Sequence, residues 1–99
     1  MKRSVLQFFT RTDFKCSLCE RAMVRLLNLQ KQFPFDIEKV DIVAKGNEHY
    51  YEMYQFDIPV MVMKDTGKEI CRHYVHEGNF TKYFEEQNAK SLSPEADPP

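Results

Sequence analysis

The 99 residues fit a single domain, and a hydrophobic share of 42% is enough for one core. Fourteen Lys and Arg residues nearly balance fifteen Asp and Glu residues, which gives a formal net charge of −1. This balance argues against a nucleic-acid-binding protein, which normally carries a basic surplus, and no apolar run approaches the length of a membrane-spanning helix.

The first half of the chain predicts two strands with a helix between them. Residues 5–10 are apolar and β-favouring, which is typical of a buried strand. Apolar side chains then recur at steps of three and four from residue 18 to residue 33, one face of a helix that begins near Cys16 and ends at Pro34. Residues 35–42 are rich in β-branched side chains and predict a second strand.

The second half predicts a helix, a β-hairpin and a last helix. The helices are expected over residues 45–54 and 79–87, and the hairpin pairs strand 60–63 with strand 69–74 through a turn at 65–67. Several side chains of these helices are expected to face the core: Tyr50, Met53, Tyr54, Phe80, Tyr83 and Phe84.

The resulting order is β-α-β-α-β-β-α, an α/β fold with a four-stranded mixed sheet flanked by three helices. The first βαβ unit should be right-handed with parallel strands. We expect residues 1–89 to form the folded domain and residues 90–99, which are polar and proline-containing, to form a disordered tail.

The chemistry is expected at Cys16 and Cys19, where the first loop meets the first helix. A helix N-terminus offers unpaired N–H groups and the positive end of the helix dipole. Both favour a thiolate on Cys16, and Lys15 adds a neighbouring positive charge. The pKa of Cys16 should therefore fall from ~8.5 toward ~6.5. Cys19, almost one turn further on, is placed to attack a mixed disulfide formed on Cys16.

Two other interpretations of the pair remain open at this point. A zinc site would need two more ligands, and Cys71, His73 and His76 are the residues that the sequence offers. Alternatively, Cys16 and Cys19 are two inert buried thiols.

A second motif supports the redox interpretation. Ile58-Pro59-Val60 precedes a predicted strand, and together with Cys16-Ser-Leu-Cys19 it resembles the thioredoxin superfamily. The resemblance implies a thioredoxin-like fold in which Pro59 is cis and faces the two Cys residues. It also implies that the exposed backbone of Ile58 pairs with the backbone of a disulfide substrate.

Within that superfamily the chain looks most like short glutaredoxin-like proteins with a C-x-L-C site and a Y-x-x-x-[IV]-P-V pattern. The latter is Tyr54-Gln-Phe-Asp-Ile58-Pro59-Val60 here. The chain departs from ordinary dithiol glutaredoxins at Asp13, where they carry a Lys that helps to hold glutathione. A single Gly78 stands where they have a Gly pair.

The resemblance implies a thiol–disulfide oxidoreductase that reduces protein or glutathione mixed disulfides. Cys16 would be the nucleophile and Cys19 the resolving thiol, while Lys15, Ile58, Pro59 and Val60 would bind substrate. Arg11 and Arg21 are further candidates to hold the carboxylates of glutathione, or are ordinary surface charges. The alternatives are a module that binds an iron–sulfur cluster and an adaptor that has lost catalysis.

We expect no metal and no tightly bound cofactor, with glutathione as electron donor. The expected partners are glutathione and disulfide-containing proteins, not nucleic acid or membrane, and the chain is expected to be a monomer. Three Cys residues fit poorly with a secreted disulfide scaffold. The basic start is followed by an apolar stretch too short for a signal peptide. The sequence thus predicts a cytoplasmic protein.

Overall fold

A computed structural model describes residues 3–91 of the chain. Within these residues the elements follow the predicted order β-α-β-α-β-β-α. They are β1 (Ser4–Thr10), α1 (Ser17–Leu29), β2 (Phe35–Asp41), α2 (Glu48–Tyr54), β3 (Val60–Met63), β4 (Lys68–Arg72) and α3 (Glu77–Ser91).

The strands form one mixed sheet in the order β2-β1-β3-β4. The pair β1–β2 is parallel, whereas β1–β3 and β3–β4 are antiparallel. Because β1 is an inner strand, it is apolar on both faces. Phe8 packs into one core cluster and Phe9 into another, as alternation along a strand requires.

The larger core cluster lies between the sheet and helices α1 and α3. Its members include Leu6, Phe8, Ala22, Leu26, Leu29, Phe35, Met61, Met63, Phe80, Tyr83 and Phe84. The smaller cluster, on the other face, contains Phe9, Ile42 and Val60 and is covered by Tyr50 and Tyr54 of α2. The two rings of α2 each lie 4.8 Å from the ring of Phe9. The packing of these partly buried rings against Phe9 anchors the short helix.

The helix predicted over residues 45–54 is shorter at its start. Residues 43–46 form turns, in which the N–H of Val43 donates to a carboxylate oxygen of Asp41. The side-chain amide of Asn47 donates to the backbone oxygen of Asp41, at 2.8 Å. These local bonds compete with helical ones, so α2 begins only at Glu48. Met53 was wrongly predicted to face the core, since 56% of it is exposed.

The predicted end of the first helix was also too late. Helix α1 ends at Leu29, and residues 30–33 continue as turns. Here the N–H of Lys31 bonds the oxygen of Asn28, three residues back, as in the tightened last turn of many helices. Phe33 still contributes to the core, because its ring stacks on that of Phe84 at 4.9 Å.

The elements near the C-terminus also differ from the prediction at their ends, β4 by stopping earlier and α3 by being longer. Strand β4 ends at Arg72, not at residue 74, because His73 adopts a φ of 71°, which lies outside the β region. Helix α3 starts at Glu77 and continues to Ser91. It thus extends beyond residue 87 and enters the segment 90–99 that was predicted to be disordered. The rest of that predicted tail lies outside the described residues.

This topology brings three chain segments to one end of the sheet. Strand β1 runs toward that end and leads into the loop before α1. Strand β3 starts there, because Val60 pairs with Phe9 near the end of β1. Cys16, at the start of α1, and Ile58, just before β3, both pack against the larger core cluster.

None of the described helices has the length and apolar character needed to span a bilayer.

Candidate active site

Cys16 is the N-cap residue of α1. Its backbone is extended, with φ −117° and ψ 100°. Its sulfur accepts a hydrogen bond from the N–H of Cys19 at 3.2 Å, and its carbonyl accepts the N–H of Glu20 at 3.1 Å. The side chain thus takes the place that a Ser or Asp oxygen fills at most helix starts. An amide donor and the positive helix end face this sulfur, and both stabilise negative charge on it.

Cys16 and Cys19 are joined by a disulfide, with 5.2 Å between their Cα atoms. The two sulfurs differ in their access to solvent. Cys16 is half-buried, whereas Cys19 is only 5% exposed and belongs to the core cluster. A molecule in solution therefore reaches Cys16 more readily than Cys19.

The Ile58–Pro59 peptide bond is cis, as the resemblance implied. The carbonyl of Pro59 accepts the N–H of His73 at 2.7 Å, which ties this segment to the end of β4. Pro59 and Val60 are buried, so their side chains are not available to a substrate. Ile58 is half-buried. Across residues 3–91, neither its N–H nor its carbonyl takes part in a hydrogen bond.

Among the basic residues near Cys16, Arg11 is already engaged. Its guanidinium makes two hydrogen bonds of 2.6 Å to the carboxylate of Asp13 and lies 4.2 Å from the ring centre of Phe14. Arg11 holds the pKa of Asp13 below its ordinary value, mainly through the hydrogen bond. Lys15 is exposed and makes no ion pair within the described part of the chain. Lys15, which directly precedes Cys16 in the chain, therefore offers a free positive charge beside this cysteine, whereas the charge of Arg11 is paired.

A cavity of about 360 Å³ opens beside the disulfide, and Cys16 and Cys19 are both among its lining residues. It lies between the start of α1 and strand β2, and its lining includes Lys15, Met23 and Lys39. The sequence analysis did not single out Met23 or Lys39. Lys39 is aligned with Phe8 in the parallel pair β1–β2, and only this register places it near the cysteines. Periodicity within one strand carries no such information.

Arg21 lies in a different depression, of about 340 Å³, with Arg25, Tyr74 and His76 among its lining residues. This depression lies between α1 and the segment that precedes α3. Ile58, Pro59 and Val60 line neither of the two cavities. The structure thus separates Arg21 from Lys15, although both were candidates for the same ligand.

The third cysteine, Cys71, is buried in β4, where its sulfur lies 3.6 Å from the sulfur of Met61. Burial raises the pKa of its thiol above the ordinary value. Within residues 3–91 no group of three or more His, Cys, Asp and Glu side chains is arranged to hold a metal ion. Cys71, His73 and His76 therefore do not complete a zinc site with the Cys16–Cys19 pair.

The sequence model of the Glutaredoxin-like domain (DUF836) matches residues 5–85 of the chain. The chain belongs to this family. A glutaredoxin-like protein of Dictyostelium discoideum is 33% identical to this chain over 76 residues. The match covers 73% of this chain and 67% of the relative.

Solved structures show which fold the chain has. The solution NMR structure of a Nitrosomonas europaea protein matches with a TM-score of 0.66 at 27% identity. The match covers 84% of this chain and 93% of the Nitrosomonas chain. Thioredoxin 1 of Thermosipho africanus matches with a TM-score of 0.58 at 24% identity. The match covers 85% of this chain and 98% of the thioredoxin chain. The glutaredoxin-like protein thus has a thioredoxin-like α/β fold, as predicted.

Proposed function

We propose that this glutaredoxin-like protein is a thiol–disulfide oxidoreductase that reduces protein or glutathione mixed disulfides. The observation that carries the proposal is the position of Cys16 at the N-cap of α1, in a disulfide with the buried Cys19. A thiolate at such a helix end is stabilised by amide donors and by the helix dipole. The described structure corresponds to the oxidised end of the cycle.

The reaction consists of two exchanges. The Cys16 thiolate attacks one sulfur of the substrate disulfide, so that a mixed disulfide forms and the other substrate sulfur leaves as a thiolate that takes up a proton. The Cys19 thiolate then attacks the sulfur of Cys16, which forms the Cys16–Cys19 disulfide and releases the second substrate thiol. Two electrons have passed to the substrate. Two molecules of a thiol reductant, of which glutathione is the proposed one, return the pair to the dithiol and leave as a disulfide.

Substrate binding uses the segment before β3 and the loop before α1. The unpaired N–H and carbonyl of Ile58 can form backbone hydrogen bonds with an extended substrate, as in strand addition. Buried Pro59 and Val60 keep that segment in place, and Lys15 offers its charge to a substrate carboxylate. Since the two cysteines carry the chemistry, the reaction requires no bound cofactor. We place this monomeric enzyme in the cytoplasm, where thiol reductants are abundant.

The proposal is tested by trapping the mixed disulfide. Cys19→Ser, incubated with glutathione disulfide and analysed by intact mass and peptide mapping, should carry one glutathione on Cys16. Cys16→Ser is the matched control and should carry none, because its two remaining thiols, Cys19 and Cys71, are both buried. The proposal fails if Cys19→Ser forms no adduct with glutathione disulfide or with a disulfide-containing protein, or if the adduct maps to Cys71. Visible absorption after anaerobic purification would instead favour the cluster-binding alternative.

A further inference from the structure

The cavity beside the disulfide, which is here called the β2-side cavity, is separate from the segment assigned to backbone pairing. Its lining includes Cys16, Cys19, Met23 and Lys39, but none of residues 58–60. Strand β1 separates β2 from β3 in the sheet. Two distinct surfaces therefore lie at this end of the sheet, the segment before β3 on one side and the cavity beside the disulfide on the β2 side.

The β2-side cavity combines an apolar wall with a basic rim. Phe8, Met23 and Phe14 contribute apolar surface, and Phe14 is 60% exposed. At the rim, Lys15 and Lys39 are both exposed, and neither makes an ion pair among residues 3–91. Unpaired charge beside exposed apolar surface fits a ligand that carries both a carboxylate and apolar groups.

Two other lining residues modify this charge without cancelling it. The guanidinium of Arg11 is neutralised by Asp13, to which it makes two hydrogen bonds of 2.6 Å. Glu20, in the first turn of α1, brings one negative charge to the lining. Against it stand the two lysines, so the cavity keeps a positive excess.

We propose that the β2-side cavity binds an acidic side chain of a polypeptide substrate, next to the disulfide that Cys16 attacks. This inference rests on the proposed function and names the substrate class as a protein disulfide with an acidic residue near the reacting cysteine. It makes Lys39 and Lys15 specificity-determining residues for that substrate.

The reach of the substrate argues for a polypeptide rather than for glutathione. Neighbouring strands lie ~4.8 Å apart, so β2 and β3 are separated by ~10 Å. Glutathione has a single residue on each side of its cysteine, and even with its γ-glutamyl link it is only slightly longer than an extended tripeptide of ~10 Å. If its backbone is held at Ile58 and its sulfur at Cys16, too little length remains to reach Lys39. A longer chain can occupy both surfaces at once.

The test compares charge-reversal variants on paired substrates. The substrates are peptide disulfides in which one Glu occupies successive positions on either side of the cysteine, each with a Gln counterpart, and glutathione disulfide. Lys39→Glu removes the proposed contact. Lys31→Glu makes the same change in net charge at an exposed position in the turn after α1. Folding of both is checked by circular dichroism, and kcat/KM is measured at low and high salt.

Wild type should prefer the best-placed Glu peptide over its Gln counterpart. Lys39→Glu should lower kcat/KM for this Glu peptide about tenfold, because an attraction becomes a repulsion at an exposed site. The loss should shrink at high salt. The Gln peptide and glutathione disulfide should change less than about twofold. Lys31→Glu should behave as wild type on every substrate.

Three results would overturn the inference. The first is equal rates for Glu and Gln peptides at every position with the wild-type protein. The second is an equal loss in Lys39→Glu and Lys31→Glu, which would indicate long-range charge only. The third is an equal loss on glutathione disulfide, which would make the cavity part of the glutathione site. If the wild-type protein reduces neither the peptides nor glutathione disulfide, the proposed function itself fails and the inference falls with it.

Discussion

The hydrogen bond from the N–H of Cys19 to the sulfur of Cys16 should lower the pKa of Cys16 in the reduced protein. Its length is 3.2 Å in the oxidised form. A hydrogen bond to a charged group is worth ~1.5 kcal/mol more than one to a neutral group, and the helix dipole adds ~0.3–1 kcal/mol. Both effects favour the thiolate, so the pKa of Cys16 in the reduced protein should lie below the ordinary value of a cysteine thiol.

The contribution of this single donor can be removed with a matched pair of variants. Cys19→Pro deletes the N–H, at a position in the first helical turn where N–H groups have no intrahelical partner. Cys19→Ser keeps the N–H and removes the same thiol. The pKa of Cys16 should be about one unit higher in Cys19→Pro than in Cys19→Ser, because the charge-assisted part of the bond is lost.

The assay is the rate of iodoacetamide alkylation as a function of pH, resolved by residue with mass spectrometry. Cys71 is the internal reference, since burial raises its pKa and should keep it slow until the protein is unfolded. Circular dichroism checks that α1 persists in both variants. The reasoning is refuted if both variants reach half of the maximal rate at the same pH, or if Cys16 in folded Cys19→Ser reacts no faster than Cys71.

Two further predictions concern stability. Leu26 is fully buried between α1 and the sheet, so Leu26→Ala should lower the free energy of unfolding in urea by about 3 kcal/mol, and a loss below about 1 kcal/mol would contradict this packing. Arg72 lowers the pKa of Glu69, chiefly through a hydrogen bond. The stabilisation by this pair is therefore complete above the ordinary pKa of Glu, near 4.3. It is lost as the pH falls through the lowered pKa of the folded protein. Glu69→Gln should therefore cost under about 1 kcal/mol at pH 7 and almost nothing near pH 2, and an equal cost at both pH values would show that the pair does not act through charge.

The element order could be predicted because each element carries its own local pattern. A run such as residues 5–10, or the three- and four-residue steps that follow Cys16, reflects how one strand or helix buries one side. The element ends were predicted less well. The start of α2 depends on side-chain bonds of Asp41 and Asn47, which no hydrophobic period records.

The candidate site was predictable where its chemistry is local. Cys16 and Cys19 are one turn apart on one helix start, so their spacing alone indicates a pair that can form a disulfide. The exposed Lys15 is adjacent in sequence. Arg11 and Asp13 are also close in sequence, but the charge count did not indicate that they form an ion pair. Because of this pair, Arg11 contributes no free positive charge near Cys16.

Local sequence alone predicted the order of the elements, the pairing of Cys16 with Cys19 and the position of this pair at a helix start, because all three follow from neighbours in the chain. Which distant residues share the site depends on how the strands pair and pack. Strand β3 starts beside the end of β1 through the pairing of Val60 with Phe9, and Lys39 reaches the β2-side cavity through its alignment with Phe8. Strand register arises from the fit of whole faces packed against helices, and residues 30 or 50 positions apart become neighbours only when that fit is made.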